Sequence, residues 1–194
     1  MQRIAIAGGI GSGKTAVTDY LAKRGIVIVD ADIVARDVVS PGQPAYRQLI
    51  DAFGRGIVAT DSTLNRAVLA DVVFRDPAAL RRLNRITHLA IGVEILRRCE
   101  ESSSSVVAVA LPLYRPEHRS LFSLTAVWLV RAREDVVLQR LTTSRKMDVG
   151  DAERRIAAQE ALALPNEAFD AIIDNSNDLL TTYGNIDRLL VELS

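Results

Sequence analysis

A glycine-rich segment close to the amino terminus carries the residue types that bind phosphate. Residues 8–15 read GGIGSGKT, which satisfies the pattern G-x-x-x-x-G-K-[ST] in full. Glycines permit positive φ angles and let consecutive backbone N–H groups approach an anion without a Cβ in the way. The lysine supplies a point charge for β- and γ-phosphates, and the threonine hydroxyl is a ligand for Mg²⁺. The segment therefore predicts a site for the polyphosphate of a nucleotide.

The helix expected after this segment strengthens the prediction. A helix that begins near Lys14 directs the positive end of its dipole at the same anion. We expect Lys14 to act as a catalytic group and Thr15 as the metal ligand. The alternative is a strand-to-helix turn that binds nothing. The residues predicted to contact the nucleotide here are Gly9, Gly11, Ser12, Gly13, Lys14, Thr15 and Ala16.

Two aspartates follow the second apolar run, in the segment Asp30-Ala31-Asp32. Parallel sheets place ligand groups just beyond the carboxyl ends of their strands. A carboxylate at Asp32 can accept the proton of an attacking hydroxyl or help to hold Mg²⁺. Asp30 is suited to capping the following helix, and from the residues alone capping accounts for either aspartate more simply.

Short apolar runs alternate with helical patterns along most of the chain. The runs are typical of buried parallel strands and lie at 3–7, 26–29, 106–111, 124–130 and 168–173. Helical patterns lie at 15–23, 134–141 and 152–162, and Asp178 is placed to cap a last helix. This alternation predicts an α/β domain with a parallel sheet. The predicted apolar face of the last helix consists of Leu179, Tyr183, Ile186, Leu190 and Leu193.

The strand-like runs disappear between residues 44 and 100. An apolar residue recurs there every three or four positions, which predicts an amphipathic helix. We interpret this stretch as a helical insertion within a single domain that spans residues 1–194. The side chains predicted to form the apolar face of its helix are Leu80, Leu83, Ile86, Ala90 and Val93.

The composition limits the class of protein. The 24 Lys and Arg residues balance 24 Asp and Glu residues, so we expect no nucleic-acid partner and no membrane-surface binding. The single cysteine, Cys99, excludes an intramolecular disulfide and is typical of a reducing cytosol. No apolar run approaches the roughly 20 residues that span a bilayer. Met1 leads directly into the first strand, so we expect a cytoplasmic protein without a signal peptide.

The order of several sequence blocks resembles one enzyme family. GGIGSGKT is followed by IVDADIVARDVVSPGQPA at 28–45, TLNRAVLADVVF at 63–74, LNRITH at 83–88, RIAAQ at 155–159 and IIDNS at 172–176. Together these blocks resemble the dephospho-CoA kinases, the enzymes of the last step of coenzyme A synthesis. The D-A-D-x-x-A-R block is the most specific of them, since other P-loop kinases lack it.

The resemblance implies a reaction and a fold. ATP, with Mg²⁺, would phosphorylate the 3′-hydroxyl of the ribose of dephospho-CoA and give CoA and ADP, so the chain would be a phosphotransferase with an alcohol group as acceptor. The implied fold is the three-layer α/β fold of P-loop NTPases with a parallel five-stranded sheet. A helical CoA-side subdomain is implied at 44–100 and a lid at 142–163. We expect a monomer or a weak homo-oligomer.

The resemblance also implies roles for individual residues. Asp32 would orient or deprotonate the acceptor hydroxyl, and Arg140, which precedes the lid, would offset charge on the transferring phosphoryl group. Asn175 would lie near the adenine of ATP. The side chains implied to contact the acceptor are Asp32, Arg36, Asn65, Arg66 and His88.

Several of these side chains are also suited to purely structural roles. His88 lies between apolar neighbours and is equally consistent with a partly buried histidine. Arg140 can pair with an acidic residue one helix turn away. Gln159 and Asn175 can serve only to satisfy backbone groups.

The chain departs from the family's pattern after the third strand. The family often reads V-P-L-L-F-E there, sometimes after an aspartate, whereas this chain has Ala110 followed by LPLYRPE at 111–117. Glu117, one place late, is the only acid available to replace the usual one. Two alternatives therefore stay open: a P-loop kinase for another small-molecule acceptor, and a nucleotide-binding relative with reduced or lost turnover.

Overall fold

The computed structural model describes residues 1–193, which form two compact units. The first comprises Met1–Val29 and the described chain from Ser102 onwards, and the second comprises Asp30–Glu101. The strands are β1 (Gln2–Ala7), β2 (Val27–Asp30), β3 (Val106–Leu111), β4 (Ala126–Arg131) and β5 (Ala171–Asp174). The helices are α1 (Lys14–Lys23), α2 (Ala31–Asp37), α3 (Pro44–Phe53), α4 (Arg66–Arg75), α5 (Pro77–Glu100), α6 (Glu117–Leu121), α7 (Glu134–Gln139), α8 (Val149–Glu160) and α9 (Leu179–Glu192).

The predicted five-stranded sheet is confirmed, with the strand order β2-β3-β1-β4-β5. β1 lies at its centre and pairs in parallel with both β3 and β4, so that Ile4 stands opposite Ala108 on one side and Ala126 on the other. β4 pairs in parallel with β5. Because parallel strands point the same way, their carboxyl ends meet at one edge, where β1 delivers residues 8–15.

The main core of the first unit explains why β1 reads as an uninterrupted apolar run. Ile4 and Ile6 are fully buried, as a central strand covered on both faces requires. They share one apolar cluster with Val17 of α1, Trp128 of β4 and Ile186 of α9. This packing fixes the helix that follows the phosphate loop against the sheet, and so fixes the direction in which its first turn points.

A second, smaller apolar cluster supports the region predicted as a lid. It consists of Val137 of α7, Leu141, and Ala152 and Ile156 of α8. Leu141 lies in a π-helical turn, Arg140–Ser144, that continues α7. The first residues of the predicted lid, 142–144, are thus helical, and α8 begins at Val149, three residues before the predicted start at 152.

The second unit is helical, as predicted for most of its length. It contains α2 to α5 and a 3₁₀ turn, Arg55–Ile57. Apart from the end of β2, the only β-type pairing among its described residues is an isolated antiparallel bridge between Val58 and Leu64. Helices α4 and α5 begin at side-chain caps: Asn65 Oδ1 accepts from Val68 N, and Asp76 Oδ1 accepts from Ala78 N.

An ionic network joins α2 and α5 within the second unit. Arg98 Nη2 donates to Asp37 Oδ2 at 2.7 Å, and Arg98 Nε donates to Glu94 Oε1 at 2.7 Å. Arg97 also donates to Glu94, at 2.7 Å from both Nε and Nη2. The hydrogen bonds from Arg97 and then Arg98 lower the pKa of Glu94 from its ordinary value to about 2. Glu94 is therefore ionised throughout the neutral range and holds two arginines in place.

Three details of the sequence prediction are wrong. The last strand is β5 (Ala171–Asp174), because residues 166–168 form a 3₁₀ turn before it. On α5, Leu80 and Val93 of the predicted face are exposed, Val93 by 60 %, and the buried residues are instead Ala79, Gly92, Ile95 and Cys99. Spacing alone did not indicate which side of such an apolar helix is covered. The third error concerns α9, whose predicted face includes Leu179, although that side chain is 45 % exposed.

Within the described residues, no helix combines the length and the apolar composition that crossing a membrane requires.

Candidate active site

The loop between β1 and α1 has the backbone conformation that the sequence predicts for a phosphate site. Gly11 and Gly13 have φ angles of 72° and 89°, in the left-handed region that favours glycine. Gly13 is the N-cap of α1, no side chain caps that helix, and no acidic residue occupies its first turn. The first N–H groups of α1 are thus not neutralised by a local carboxylate, which leaves the positive end of the helix suited to an anion.

Space around the loop also excludes larger residues. A Cβ at Gly8 would lie 2.7 Å from Ser12 Oγ and 2.8 Å from the Val130 carbonyl oxygen. A Cβ at Gly11 would lie 2.8 Å from Val137 Cγ1. The loop is thus packed closely against β4 and α7. Its glycines are needed both for their backbone conformation and because no larger residue fits against these neighbours.

Arg140 contacts the outer side of this loop. Its Nη1 donates to the carbonyl oxygens of Gly11 and Ser12 at 3.2 and 3.3 Å, and its Nη2 donates to the Asn175 carbonyl oxygen at 2.8 Å. The alternative in which Arg140 pairs with an acidic neighbour is wrong, since these three bonds go to backbone oxygens. Because peptide groups are planar and trans, holding the Ser12 carbonyl turns the N–H of Gly13 away from Arg140.

Asn175 is buried behind the loop and holds the same peptide. Its Nδ2 donates to the Ser12 carbonyl oxygen at 2.9 Å, and its Oδ1 accepts from the Thr182 hydroxyl of α9 at 3.1 Å. The interpretation that Asn175 satisfies backbone groups is confirmed. Its predicted place near an adenine stays a prediction.

The turn that follows β5 fixes the position of Asn175. Asp174 Oδ1 accepts from Ser176 N at 2.8 Å, and the Ser176 hydroxyl accepts from Arg133 N at 2.8 Å. The hydrogen bonds from Ser176 lower the pKa of Asp174. This carboxylate is therefore charged at neutral pH and keeps the turn closed.

Ser12 carries a buried polar atom that the protein leaves unsatisfied. Its side chain is 4 % exposed, and Oγ has no hydrogen-bond partner among the described residues. Buried hydroxyls are ordinarily paired, so an orphan inside a phosphate loop indicates a group that functions with a ligand or water.

Lys14, Thr15 and Ala16 occupy the first turn of α1. Lys14 is half-buried and Thr15 is exposed, with the Thr15 carbonyl oxygen accepting from the Thr18 hydroxyl at 3.0 Å. The described chain contains no group of three or more His, Cys, Asp or Glu side chains that could hold a metal ion. A hydroxyl without carboxylates fits Mg²⁺ only where phosphate oxygens supply most of the ligands, which is how this cation is commonly bound.

A cavity of about 270 Å³ adjoins the amino-terminal half of the loop. Gly8, Gly9, Ile10, Ser12 and Gln159 form its polar edge. Its other walls are largely apolar and include Leu113, Tyr114, Val130, Ile156, Leu164 and Phe169. Tyr114 and Phe169 lie outside the sequence blocks that predict the site, although Tyr114 belongs to LPLYRPE at 111–117, the segment that departs from the family's pattern.

Asp32 and Arg36 belong to the second unit and lie one turn apart on α2. Both are exposed, and a separation of four residues places them on the same side of the helix. Asp30 Oδ1 accepts from the N–H groups of Asp32 and Ile33 at 2.7 and 3.3 Å. The cap predicted for Asp30 is therefore confirmed, and it leaves the Asp32 carboxylate available for another role.

The remaining predicted acceptor residues also lie in the second unit. Asn65 uses its Oδ1 as the cap of α4, and Arg66 is exposed in the first turn of that helix. His88 is exposed on α5, so its interpretation as a partly buried histidine is wrong. Contact of these residues with an acceptor stays a prediction.

Comparison with solved structures agrees with this geometry. The chain superposes on TT1252 from Thermus thermophilus with a TM-score of 0.78 at 22% identity, covering 100% of this chain and 98% of that chain. It superposes on a dephospho-CoA kinase from Campylobacter jejuni with a TM-score of 0.64 at 19% identity, covering 100% of this chain and 97% of that chain. A parallel sheet that carries this phosphate loop into an uncapped helix has the fold of the P-loop kinases.

Sequence comparison then gives the family. Residues 2–181 match the family described as Dephospho-CoA kinase. The chain is 40% identical over 196 residues to a dephospho-CoA kinase of Corynebacterium jeikeium, covering 100% of this chain and 96% of the relative. It is 38% identical over 196 residues to the dephospho-CoA kinase of Corynebacterium efficiens, covering 100% of this chain and 98% of that relative. The chain belongs to the dephospho-CoA kinase family.

Proposed function

We propose that this chain transfers the γ-phosphoryl group of ATP to the 3′-hydroxyl of the ribose of dephospho-CoA, giving coenzyme A and ADP. This is the last step of coenzyme A synthesis. The observation that carries the proposal is the intact phosphate loop at residues 8–15 in a chain that matches the family over residues 2–181.

The loop supports binding of ATP through its β- and γ-phosphates. Backbone N–H groups, the positive end of α1 and the ammonium group of Lys14 would stabilise the negative charge that moves during transfer. Bound Mg²⁺ would neutralise phosphate charge, and the Thr15 hydroxyl is the side-chain ligand that the loop offers it. Arg140 keeps the loop in shape in this structure, and we propose that it also approaches the phosphates when ATP is bound.

Asp32 is the proposed group that orients and deprotonates the ribose hydroxyl. Its carboxylate is exposed and is not used as a helix cap, because Asp30 has that role. Arg36 lies on the same side of α2 and is suited to an anionic acceptor. We propose that the helical region 44–100 holds the rest of the acceptor, through Asn65, Arg66 and His88 among others.

The cavity beside the loop supports an acceptor that contains a nucleoside. The ribose that receives the phosphoryl group carries adenine, so an apolar recess must lie close to the reacting atoms. The cavity adjoins Gly8 and Gly9, and Tyr114 and Phe169 offer aromatic surface to a base. We propose that residues 142–163 act as the lid over this region. The balanced charge and single cysteine favour a cytoplasmic enzyme, monomeric or weakly self-associating.

A coupled assay of ADP release tests the function directly. The purified chain, with ATP and Mg²⁺, should turn over dephospho-CoA with a kcat/KM at least about 100-fold above that for adenosine, shikimate or pantetheine. Phosphorus NMR of the product should show a new 3′-phosphomonoester. Equal turnover of unrelated alcohols would instead establish another small-molecule kinase, and ATP binding without ADP release would establish a relative that has lost turnover.

A further inference from the structure

Gln159 makes a direct contact between helix α8 and the phosphate loop. Its side-chain Oε1 accepts a hydrogen bond from the backbone N–H of Ile10 at 2.7 Å, across 149 positions of sequence. Gln159 lies in the last turn of α8, within the region proposed as the lid. This hydrogen bond joins the end of α8 directly to the backbone of the loop.

The side chain of Ile10 is held by the same part of the protein. It packs against the second apolar cluster, to which Leu141 and Ile156 belong. The backbone of Ile10 is held by Gln159, so both parts of this loop residue are attached to the α7–α8 region. Any shift of α8 relative to the loop must break the hydrogen bond, disturb the packing or carry residue 10 along.

The adjoining glycine shows how close the contact is. A Cβ on Gly9 would overlap Gln159 Oε1, so the amide lies directly against the loop backbone at this point. Gln159 also lines the cavity together with Gly8, Gly9 and Ile10. The amide group therefore lies where the phosphate loop meets the space proposed for the acceptor.

The chemical type of the side chain suits this place. An amide oxygen satisfies the Ile10 N–H without bringing a negative charge beside bound phosphates, which a carboxylate would do. An apolar side chain of the same length would leave the N–H without its acceptor. Gln159 thus combines reach, hydrogen-bond acceptance and neutrality, a combination found in no other residue type.

We propose that Gln159 is a positioning residue for phosphoryl transfer. It fixes the Gly9–Ile10 peptide, against which the transferred group must lie, and it makes the shape of the loop depend on the position of α8. The proposal rests on the proposed function for the identity of the acceptor but not for the loop contact itself.

Two substitutions separate the hydrogen bond from the charge. Gln159→Met keeps the length of the side chain and removes the oxygen that accepts from Ile10 N. Gln159→Glu keeps an oxygen that can accept this hydrogen bond and adds a negative charge. We expect Gln159→Met to lower kcat about tenfold or more, because small displacements of reacting groups cost up to about 100-fold, with KM for dephospho-CoA nearly unchanged. Gln159→Glu should retain more of the kcat and raise the Kd for ATP by about tenfold, because like charges repel.

Hydrogen exchange followed by NMR gives a readout that does not require dephospho-CoA or turnover. The amide proton of Ile10 should exchange at least about tenfold faster in Gln159→Met than in the parent, and at close to the parental rate in Gln159→Glu. Glu192→Gln, an exposed change on α9, should leave exchange and kinetics unchanged. Melting temperatures of all variants should agree within about 2 °C, as surface substitutions generally do.

The outcomes distinguish this proposal from the proposed function. If the parent does not phosphorylate dephospho-CoA, the function is wrong, and exchange at Ile10 and the Kd for ATP still test Gln159. If the parent is active and Gln159→Met has parental kcat and parental exchange at Ile10, the positioning role is overturned. It is overturned as well if both substitutions lower kcat equally in proportion to a loss of melting temperature, since that pattern indicates a purely structural role.

Discussion

Asp30 and Asp32 stand two residues apart and have different surroundings. Asp30 accepts two backbone N–H bonds at the start of α2, whereas the Asp32 carboxylate is exposed in the first turn. This difference makes the pair a matched test of the proposed base. Asparagine caps helices as well as aspartate does, so Asp30→Asn removes a charge and retains the cap.

We expect Asp32→Asn to lower kcat by roughly 10²–10⁴-fold, the usual contribution of a general base. The Kd for ATP should be nearly unchanged, because the substitution leaves the phosphate loop intact. Steady-state kinetics and calorimetry measure the two effects. Asp30→Asn serves as the control and should retain parental kcat; a normal kcat in Asp32→Asn would remove that residue from the mechanism.

Lys14 allows a second comparison within one helix. Lys14→Ala should reduce turnover by at least about 100-fold, since the phosphates lose a pre-positioned ammonium group. Lys23, the last residue of α1, is exposed, and Lys23→Ala should have no effect on turnover. An ADP-release assay on both variants checks the expectation, which fails if the two behave alike.

At this scale the sequence predicted the loop because its chemistry is local. The features that mark residues 8–15 as a phosphate site are glycine conformation, helix direction and the lysine itself, all of them local. Gln159 and the supporting contacts of Arg140 could not be predicted, because they bond the loop from positions about 130 to 150 residues away. The RIAAQ block marked Gln159 as a residue of interest without giving its partner.

The helices and strands around the loop depend on a few buried polar contacts. Asn175→Ala would leave the Ser12 carbonyl and the Thr182 hydroxyl each with one partner fewer. We expect a loss of about 1–3 kcal/mol in the free energy of unfolding, the usual cost of unpairing buried polar groups, and weaker ATP binding. Urea denaturation and calorimetry test this, with exposed Asn177→Ala as the control. Equal stability of the two variants would show that Asn175 does not support the loop.

The ionic network of α5 gives the second unit a defined pH response. Glu94 has a folded pKa of about 2, below its ordinary value of 4.5. A lowered folded pKa stabilises the protein above the unfolded value, and this stabilisation is lost as pH falls from about 4.5 towards 2.

Glu94→Gln should therefore lower the free energy of unfolding by about 1 kcal/mol at pH 7, allowing for the partly exposed arginines. The difference from the parent should shrink as pH approaches 3. Denaturation followed by circular dichroism at several pH values measures it, with Asp51→Asn, an exposed change on α3, as the control. A difference that stays constant with pH would exclude the ion pairs as its source.

Strands and helices were predicted correctly where the apolar pattern and the length of a run indicate the same kind of element. β3 is an example, since its bounds match the predicted run at 106–111. The capped start of α9 was predicted as well, and Asp178 Oδ1 accepts from Thr181 N at 2.9 Å. The buried side of α5 was not predicted, because Ala79 and Gly92 carry little hydrophobic signal and the apolar residues of this helix, Ile95 and exposed Val93 among them, do not mark one side by their type. Burial there reflects close helix approach, which depends on the partner helices and not on the local pattern.

The molecule as a whole divides into a unit that carries the phosphate loop and a unit that carries Asp32 and the other proposed acceptor residues. Hydrogen exchange with mass spectrometry can test this division of roles. A non-hydrolysable ATP analogue should protect peptides covering residues 8–16, because ligands stabilise the groups that they bind. Dephospho-CoA should protect peptides within 44–100. Acceptor protection confined to the first unit would contradict the proposed role of the helical region.

The central place of β1 has a consequence for synthesis on the ribosome. β1 is translated before both of its neighbours, β3 and β4, which lie beyond residue 105. At about 5–20 residues per second, β1 is synthesised on the order of ten seconds before its partners. During that interval the apolar segment β1 stays unpaired, and no sheet supports the phosphate loop that follows it. Fragments released before β4 emerges should therefore be unable to retain nucleotide and should depend on chaperones to stay in solution.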